Sequence, residues 1–432
     1  MFTDPSVLAL LKICLTFGVM MFAIRRHWGL WLALLAGAVT LGLAFGLSPL
    51  AIGKTMAATL VLPSFLTLFL VVACILILSE IQGFTGQGHR LVDGLTPYIK
   101  SPRVRLIFFP ALVGLLPMPG GAVFSCPMVR DVAETLDVTE EQKATLNYWF
   151  RHIWEAAWPL YPGYILGCAV AGIPPAMLLR YTFPFVLISL AVGWVLLLRY
   201  PVKQLSGRQE AALPKLPFWK VLLEALPIVV AVVAAPIYDA LLALGGITLP
   251  NGGSFVLSFV SAILVAMAQN HVPPMTVIRA AAKGTVRKMM LVVVMIFLFK
   301  EMVITAGVVD ALAPLMAGKS MLFFLFLFLP ALMGMLTGMM LGFVGAAFPL
   351  LIALLAQAGA YDERICWVMV ALAAGHFGQM ISPLHVCWLL TAEFFHTPLS
   401  AMWRSVAFAS VAELVLAVGY TGALFLLVHP VL

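Results

Sequence analysis

The sequence predicts an all-α polytopic membrane protein built as two inverted repeats. Each repeat holds about five transmembrane helices, a re-entrant hairpin and a broken helix. Three observations predict this. The first is composition: of 432 residues, 63% are hydrophobic and 10% charged, with a mean hydropathy of +1.08. Such a chain is not a soluble globular protein, and its apolar runs are too long for barrel strands. The second is a break, Pro117-Met118-Pro119-Gly120-Gly121, inside the apolar run from Val104 to Val129. Each proline removes a backbone donor, and paired glycines favour non-helical dihedrals. In lipid such a break survives only within protein or beside a water-filled cavity, as at the binding sites of solute transporters.

The third observation is an internal duplication. FFPALVGLLP (108–117) resembles FLPALMGMLT (328–337) at an offset of 220, with Pro110/Pro330 and Gly114/Gly334 in register. Upstream, Glu80 and Gly86 match Glu301 and Gly307 at 221; downstream, RHIWEAAWPLY (151–161) matches GHFGQMISPLH (375–385) at 224. Apolar helices resemble one another cheaply, but three matches in one order at nearly constant offset indicate a repeat.

Taken in order, the first repeat (1–200) has spans at 6–24, 28–47 and 58–82. A hairpin at about 104–136, a broken helix at about 144–172 and a span at 176–199 complete it. A basic cytoplasmic linker, 201–220, leads to the second repeat, 221–432. There the spans are 221–244, 253–270, 288–309 and 402–428, with a hairpin at about 320–357 and a broken helix at about 366–392. The first segment lacks a basic lead and a small-residue cleavage site, so it reads as a retained span.

Charge sets the orientation. Arg25, Arg26 and His27 place the first loop inside, as do Arg90, Lys100, Arg103 and Arg105 the segment before the first hairpin. The basic linker falls inside only if 104–136 enters and returns, and the second hairpin then enters from outside. Both termini are expected outside. The acidic stretch Asp131 to Glu141 reads as a solvated face.

Chemistry concentrates at the breaks. Arg151 and Glu155 are four apart, and His152 and Glu155 three apart, so one helix face gathers them. Ionisable groups within spans are costly and face a cavity or a partner. The segment reads either as a neutralised structural pair or as the wall of a transport site that includes Tyr161. Its counterpart crowds His376, Gln379, Ser382 and His385 around Pro383. The tips are glycine-rich, with Pro119, Gly120 and Gly121 followed by Ser125 in the first, and Gly338, Gly342 and Gly345 in the second. Glycine lets backbone N–H groups face a ligand, a geometry that favours anions; GMMLG (338–342) equally fits close helix packing. Gly121→Val is expected to block binding by filling space and forbidding the turn, and the same substitution at Gly114 to be milder. Solute contact is assigned to Pro119, Gly120, Gly121, Ser125, Tyr161, Gly338, Gly342, Gly345, Gln379, Ser382 and His385. Coupling is assigned to Arg151, His152, Glu155 and His376. The six cysteines lie in apolar segments without paired spacing and read as reduced packing residues, neither disulfides nor metal ligands. No metalloprotease, hydrolase or Walker motif is present, so no enzyme is predicted.

PMPGGAVFSCPMV (117–129), NYWFRHIWEAAWPLYPG (147–163) and GHFGQMISPLHVCWLLTAEFF (375–395) together resemble a bacterial and archaeal membrane family, domain of unknown function 401. That family is grouped with the ion transporter superfamily of dicarboxylate, citrate, gluconate and arsenite carriers and sodium/proton antiporters. The resemblance covers nearly the whole chain. It implies inverted repeats, each with a re-entrant hairpin and a broken span, an elevator-like movement, and a homodimer in the cytoplasmic (inner) membrane. One departure stands out: the dicarboxylate carriers use Ser-Asn-Thr motifs at both tips, where this chain has Pro-Met-Pro-Gly-Gly and a glycine-rich counterpart. The expected function is a secondary active transporter of a small solute, an organic anion such as a carboxylate, coupled to protons or sodium. The alternative is a cation/proton antiporter; an intramembrane enzyme or receptor is a third class. Beyond a coupling sodium ion or proton no cofactor or metal is expected. The expected partners are the solute, the bilayer and a second copy of the chain; the +7 charge calls for no nucleic acid.

Overall fold

The computed structural model describes residues 5–26, 28–115, 121–134, 136–198, 215, 217–247, 253–312 and 319–428. Residues 116–120, with the candidates Pro119 and Gly120, and linker residues 199–214 lie outside them. The described chain is helical, with no strand. Its first half runs α1 (Pro5–Arg25), α2 (Leu30–Ala44), α3 (Pro49–Thr59), α4 (Pro63–Thr85) and α5 (Gln87–Leu95). The first hairpin follows as α6 (Pro102–Gly114) and α7 (Ala122–Ala133), then the broken helix as α8 (Glu140–His152) and α9 (Pro162–Ala171), then α10 (Pro175–Val192). The second half opens with α11 (Phe218–Leu244), α12 (Gly253–Gln269), α13 (Pro274–Ala282), α14 (Gly284–Thr305) and α15 (Val308–Leu312). The second hairpin is α16 (Lys319–Thr337) and α17 (Met340–Gln357), the second broken helix α18 (Arg364–Met380) and α19 (Val386–Phe394), and α20 (Leu399–Val428) closes the fold.

Local chemistry accounts for many of these limits. Pro49 sits in the first turn of α3, where Ser48 Oγ accepts from Ala51 N at 3.2 Å. Thr139 and Gln142 form a capping box at the start of α8. Gly86 and Gly307, matched in sequence, both take the left-handed conformation (φ 66° and 64°) beyond α4 and α14. Glycine closes a helix there at no steric cost. The short helices α3, α5 and α13 were not legible as spans; α13 carries Arg279 and buries no residue.

Among the described residues, seven helical stretches are long and apolar enough to cross a membrane, which makes this a multi-pass membrane protein. The two hairpins differ in length. The arms α6 and α7 have 13 and 12 residues, about 18–20 Å, too short to cross. The arms α16 and α17, of 19 and 18 residues, each qualify as a span by length. In α17, 83% of the apolar window is buried, against 22% in α20. That places α17 at the centre of the bundle and α20 at its rim. One apolar core joins α4, α9, α14, α17 and α18; a second joins α6, α7, α8, α19 and α20.

Residues matched in sequence make matching contacts. Gly114 lies against the carbonyl oxygen of Arg151, and Gly334 against that of Gly375. Trp154 Nε1 donates to Ala111 O at 2.8 Å; at the equivalent place Gly378 packs on Ala331 O. Trp158 Nε1 donates to Leu115 O at 3.2 Å, and Ser382 Oγ to Met335 O at 2.6 Å. Each hairpin thus holds its broken helix in the same register.

Candidate functional site

Where the two broken helices part, a cavity of about 140 Å³ opens. Its wall includes Tyr161, Pro162 and Gly163 at the start of α9, Met339–Leu341 at the start of α17, and His385–Cys387 at the start of α19. Arg151, Glu155, Gln379 and Gly338 complete the polar part. Glycine makes this convergence possible. A Cβ on Gly163 would stand 2.9 Å from Leu341 N, so the first turns of α9 and α17 touch. Gly338, at φ 63°, lies against the backbone of His385, which brings the second hairpin tip onto the start of α19.

Three helix N-termini therefore meet at the cavity, those of α9 and α17 buried and that of α19 open to it at the half-exposed Val386. None of the three has a side-chain cap, although buried first-turn N–H groups need a partner. Arg151 supplies a full charge beside them. It is 2% exposed, and its guanidinium lies under Gly121, at the start of α7, so closely that a Cβ there would overlap it. Glu155 accepts a hydrogen bond from Gln379 Nε2. These are positions matched at an offset of 224, so the equivalent residues of the two broken helices meet. His152 Nε2 stands 3.8 Å from Glu155 Oε1. Tyr161 donates to Gly114 O at 2.5 Å, which ties the break to the first hairpin.

The structure gathers Arg151, Glu155, Tyr161, Gly338, Gln379 and His385 around the cavity and sets Gly121 against Arg151. The other candidates lie elsewhere. Ser125 is fully buried in α7. Gly342 faces Thr337 within its own hairpin, and Gly345 faces Ile296 of α14, so both serve close packing. Ser382 spends its hydroxyl on Met335 O. His376 turns away toward α20, where its Nε2 is 3.7 Å from Glu413 Oε2. For stability the two glycines differ: Gly114 abuts backbone, Gly121 only the far end of a side chain.

Several neighbours escaped the sequence reading. Tyr148 donates to Met380 O at 3.0 Å and lies 3.3 Å from His385 Nδ1; only its place one turn before His152 hinted at this. Asn147 Nδ2 donates to Thr391 Oγ1 at 3.3 Å, which links α8 to α19. Glu413 carried a signal, as the one acidic residue of α20. Cys387, read as packing, joins His152 and His385 in a buried group whose ligand atoms lie within 4.8 Å of one another. Larger clefts, of about 510 and 450 Å³, include none of the candidate residues.

No curated protein matches the chain. The structure is similar to the crystal structure of the Alcanivorax borkumensis YdaH transporter, with 15% sequence identity and a TM-score of 0.46 over 86% of this chain and 87% of that one. The model of the family described as "Protein of unknown function (DUF401)" matches residues 6–428, and the chain belongs to that family.

Proposed function

We propose that the protein is a secondary active transporter that carries a small anion, of the size of a short carboxylate, by alternating access. The observation that carries this reading is the meeting of three uncapped helix N-termini and Arg151 on one cavity. Partial positive charge at helix starts and a fixed guanidinium favour an anion. A volume of about 140 Å³ is roughly five waters' share of liquid. It admits a few carbons and a carboxylate, and falls short of a drug-sized pocket.

Glu155 is the coupling group in this reading. Ionised, it balances Arg151; protonated, it leaves the guanidinium's charge to the solute. Proton and anion then bind together, which is symport. The matching contacts of the two halves support a pair of repeats, and an inverted arrangement gives the cavity two related gates.

The test is thermal unfolding of the purified protein in detergent with a panel of short carboxylates, inorganic oxyanions, amines and neutral solutes. A fitting anion at 100 times its Kd stabilises by about 2.7 kcal/mol. Its affinity rises as pH falls, whereas Glu155→Gln binds it equally at every pH. Stabilisation by amines or neutral solutes alone would sink the reading.

A further inference from the structure

We propose that His152, His385 and Cys387 form a transition-metal site, for Zn²⁺ or Cu⁺, at the edge of the cavity. Among the described residues, one ligand atom from each lies within 4.8 Å of the other two, and all three residues are buried. The hydrogen bonds around the rings fix how they present themselves. His152 Nδ1 faces the carbonyl oxygen of Tyr148 at 2.5 Å. A carbonyl only accepts, so Nδ1 carries the proton and Nε2 keeps its lone pair. His385 Nδ1 faces two oxygens, Gln379 O at 3.4 Å and Tyr148 Oη at 3.3 Å. The phenol hydrogen is already given to Met380 O, so Tyr148 Oη accepts as well and His385 Nδ1 is also the donor. Both Nε2 atoms are thus lone-pair bearing.

Neutral imidazole with its second nitrogen donating to an oxygen is how histidine holds a metal. His152 Nε2 is buried and, among the described residues, has no hydrogen-bond partner. Two such imidazoles together with the Cys387 thiol make a soft, borderline ligand set that suits Zn²⁺ or Cu⁺ and not Mg²⁺ or Ca²⁺. Zinc bonds of about 2.0–2.3 Å put ligand atoms roughly 3.5 Å apart, so an ion draws this group inward by about an ångström. The Cys387 thiolate and Glu155, 3.8 Å from His152 Nε2, offset its charge against Arg151. His385 and Cys387 line the cavity, so the ion's remaining position faces it.

The probe is Co²⁺, added to chelator-stripped full-length protein in detergent, because a thiolate–cobalt bond absorbs strongly in the near ultraviolet. Wild type should bind one equivalent with that charge-transfer band, and Zn²⁺ should displace it. Cys387→Ser should lose the band. Tyr148→Phe, which removes the oxygen behind His385, should keep the band and weaken binding by about 10–100-fold. No band in wild type, or an undiminished band in Cys387→Ser, overturns the site. Neither measurement involves an anion, so a missing anion response would overturn the transport reading and leave this one standing.

Discussion

In the first half of the chain the break presents Arg151, Trp154, Glu155, Trp158 and Tyr161; the positions 224 residues later hold Gly375, Gly378, Gln379, Ser382 and His385. Both sets meet their hairpins at the same carbonyls. In the first, indole N–H groups reach across a gap. In the second, glycine lets α18 lie backbone to backbone on α16. Charge, too, sits on one side only: Arg151 and Glu155 have Gly375 and Gln379 as their counterparts. Hairpin contacts can therefore be kept while the side chains that make them change completely, and the two broken helices share those contacts but not their charge.

Moving that charge should give the largest effect. Glu155 is buried and held by Gln379 Nε2, and loss of a hydrogen bond to a buried charged group costs about 1.5–3 kcal/mol. Glu155→Gln should therefore lower stability by about that amount without bound anion, read as chemical or thermal unfolding in detergent. Because Gln379 is hydrogen-bonded to Glu155, the swap Glu155→Gln with Gln379→Glu returns a carboxylate to the same pair. It should recover more than half of the loss. No recovery would mean that the two positions are not equivalent, and the comparison would fail at its centre.

Tight backbone contact predicts the next effect. A Cβ on Gly378 would overlap Ala331 O, and one on Gly114 the carbonyl of Arg151. Neither backbone can retreat, so Gly378→Ala and Gly114→Ala should each cost about 1–3 kcal/mol. Gly121→Ala meets only the Arg151 guanidinium. It should unfold close to wild type while abolishing stabilisation by the anion. Equal unfolding losses at all three would remove Arg151 from beneath the tip.

The long apolar helices and both breaks were legible in the sequence because lipid forces their composition and because proline and glycine punctuate them. The matched glycines Gly114/Gly334 and Gly86/Gly307 stood out as well, since backbone contact or dihedral constrains them, not solvent. Short helices such as α13 were not, because amphipathic pieces of nine residues lack the length that marks a span. Within the site, sequence named the residues on the broken helices but not the directions in which they point. His376 and His152 are matched in sequence, yet one faces Glu413 on α20 and the other Glu155 on its own segment. Helical spacing reports only neighbours on the same element. Cys387 was passed over for the same reason, since its partner His152 comes from another helix.

The smallest effect offers the sharpest comparison. Trp158 Nε1 and Ser382 Oγ are matched donors, each giving one hydrogen bond to a matched hairpin carbonyl, Leu115 O and Met335 O. Such bonds in membrane proteins average about 0.6 kcal/mol, with a maximum near 1.7. Trp158→Phe keeps an aromatic ring while deleting the donor, and Ser382→Ala deletes the other with little loss of volume. If the register is shared, each should cost about 0.5–1 kcal/mol. The serine should cost slightly more, because its oxygen also accepts from Leu384 N at 3.2 Å within the break. Unfolding of the two single variants and of their combination decides the matter. Their bonds lie on different hairpins, so the double variant should lose the sum of the two within about 0.5 kcal/mol. A strongly non-additive pair would mean that the two hairpins move as one body rather than as two separately held gates.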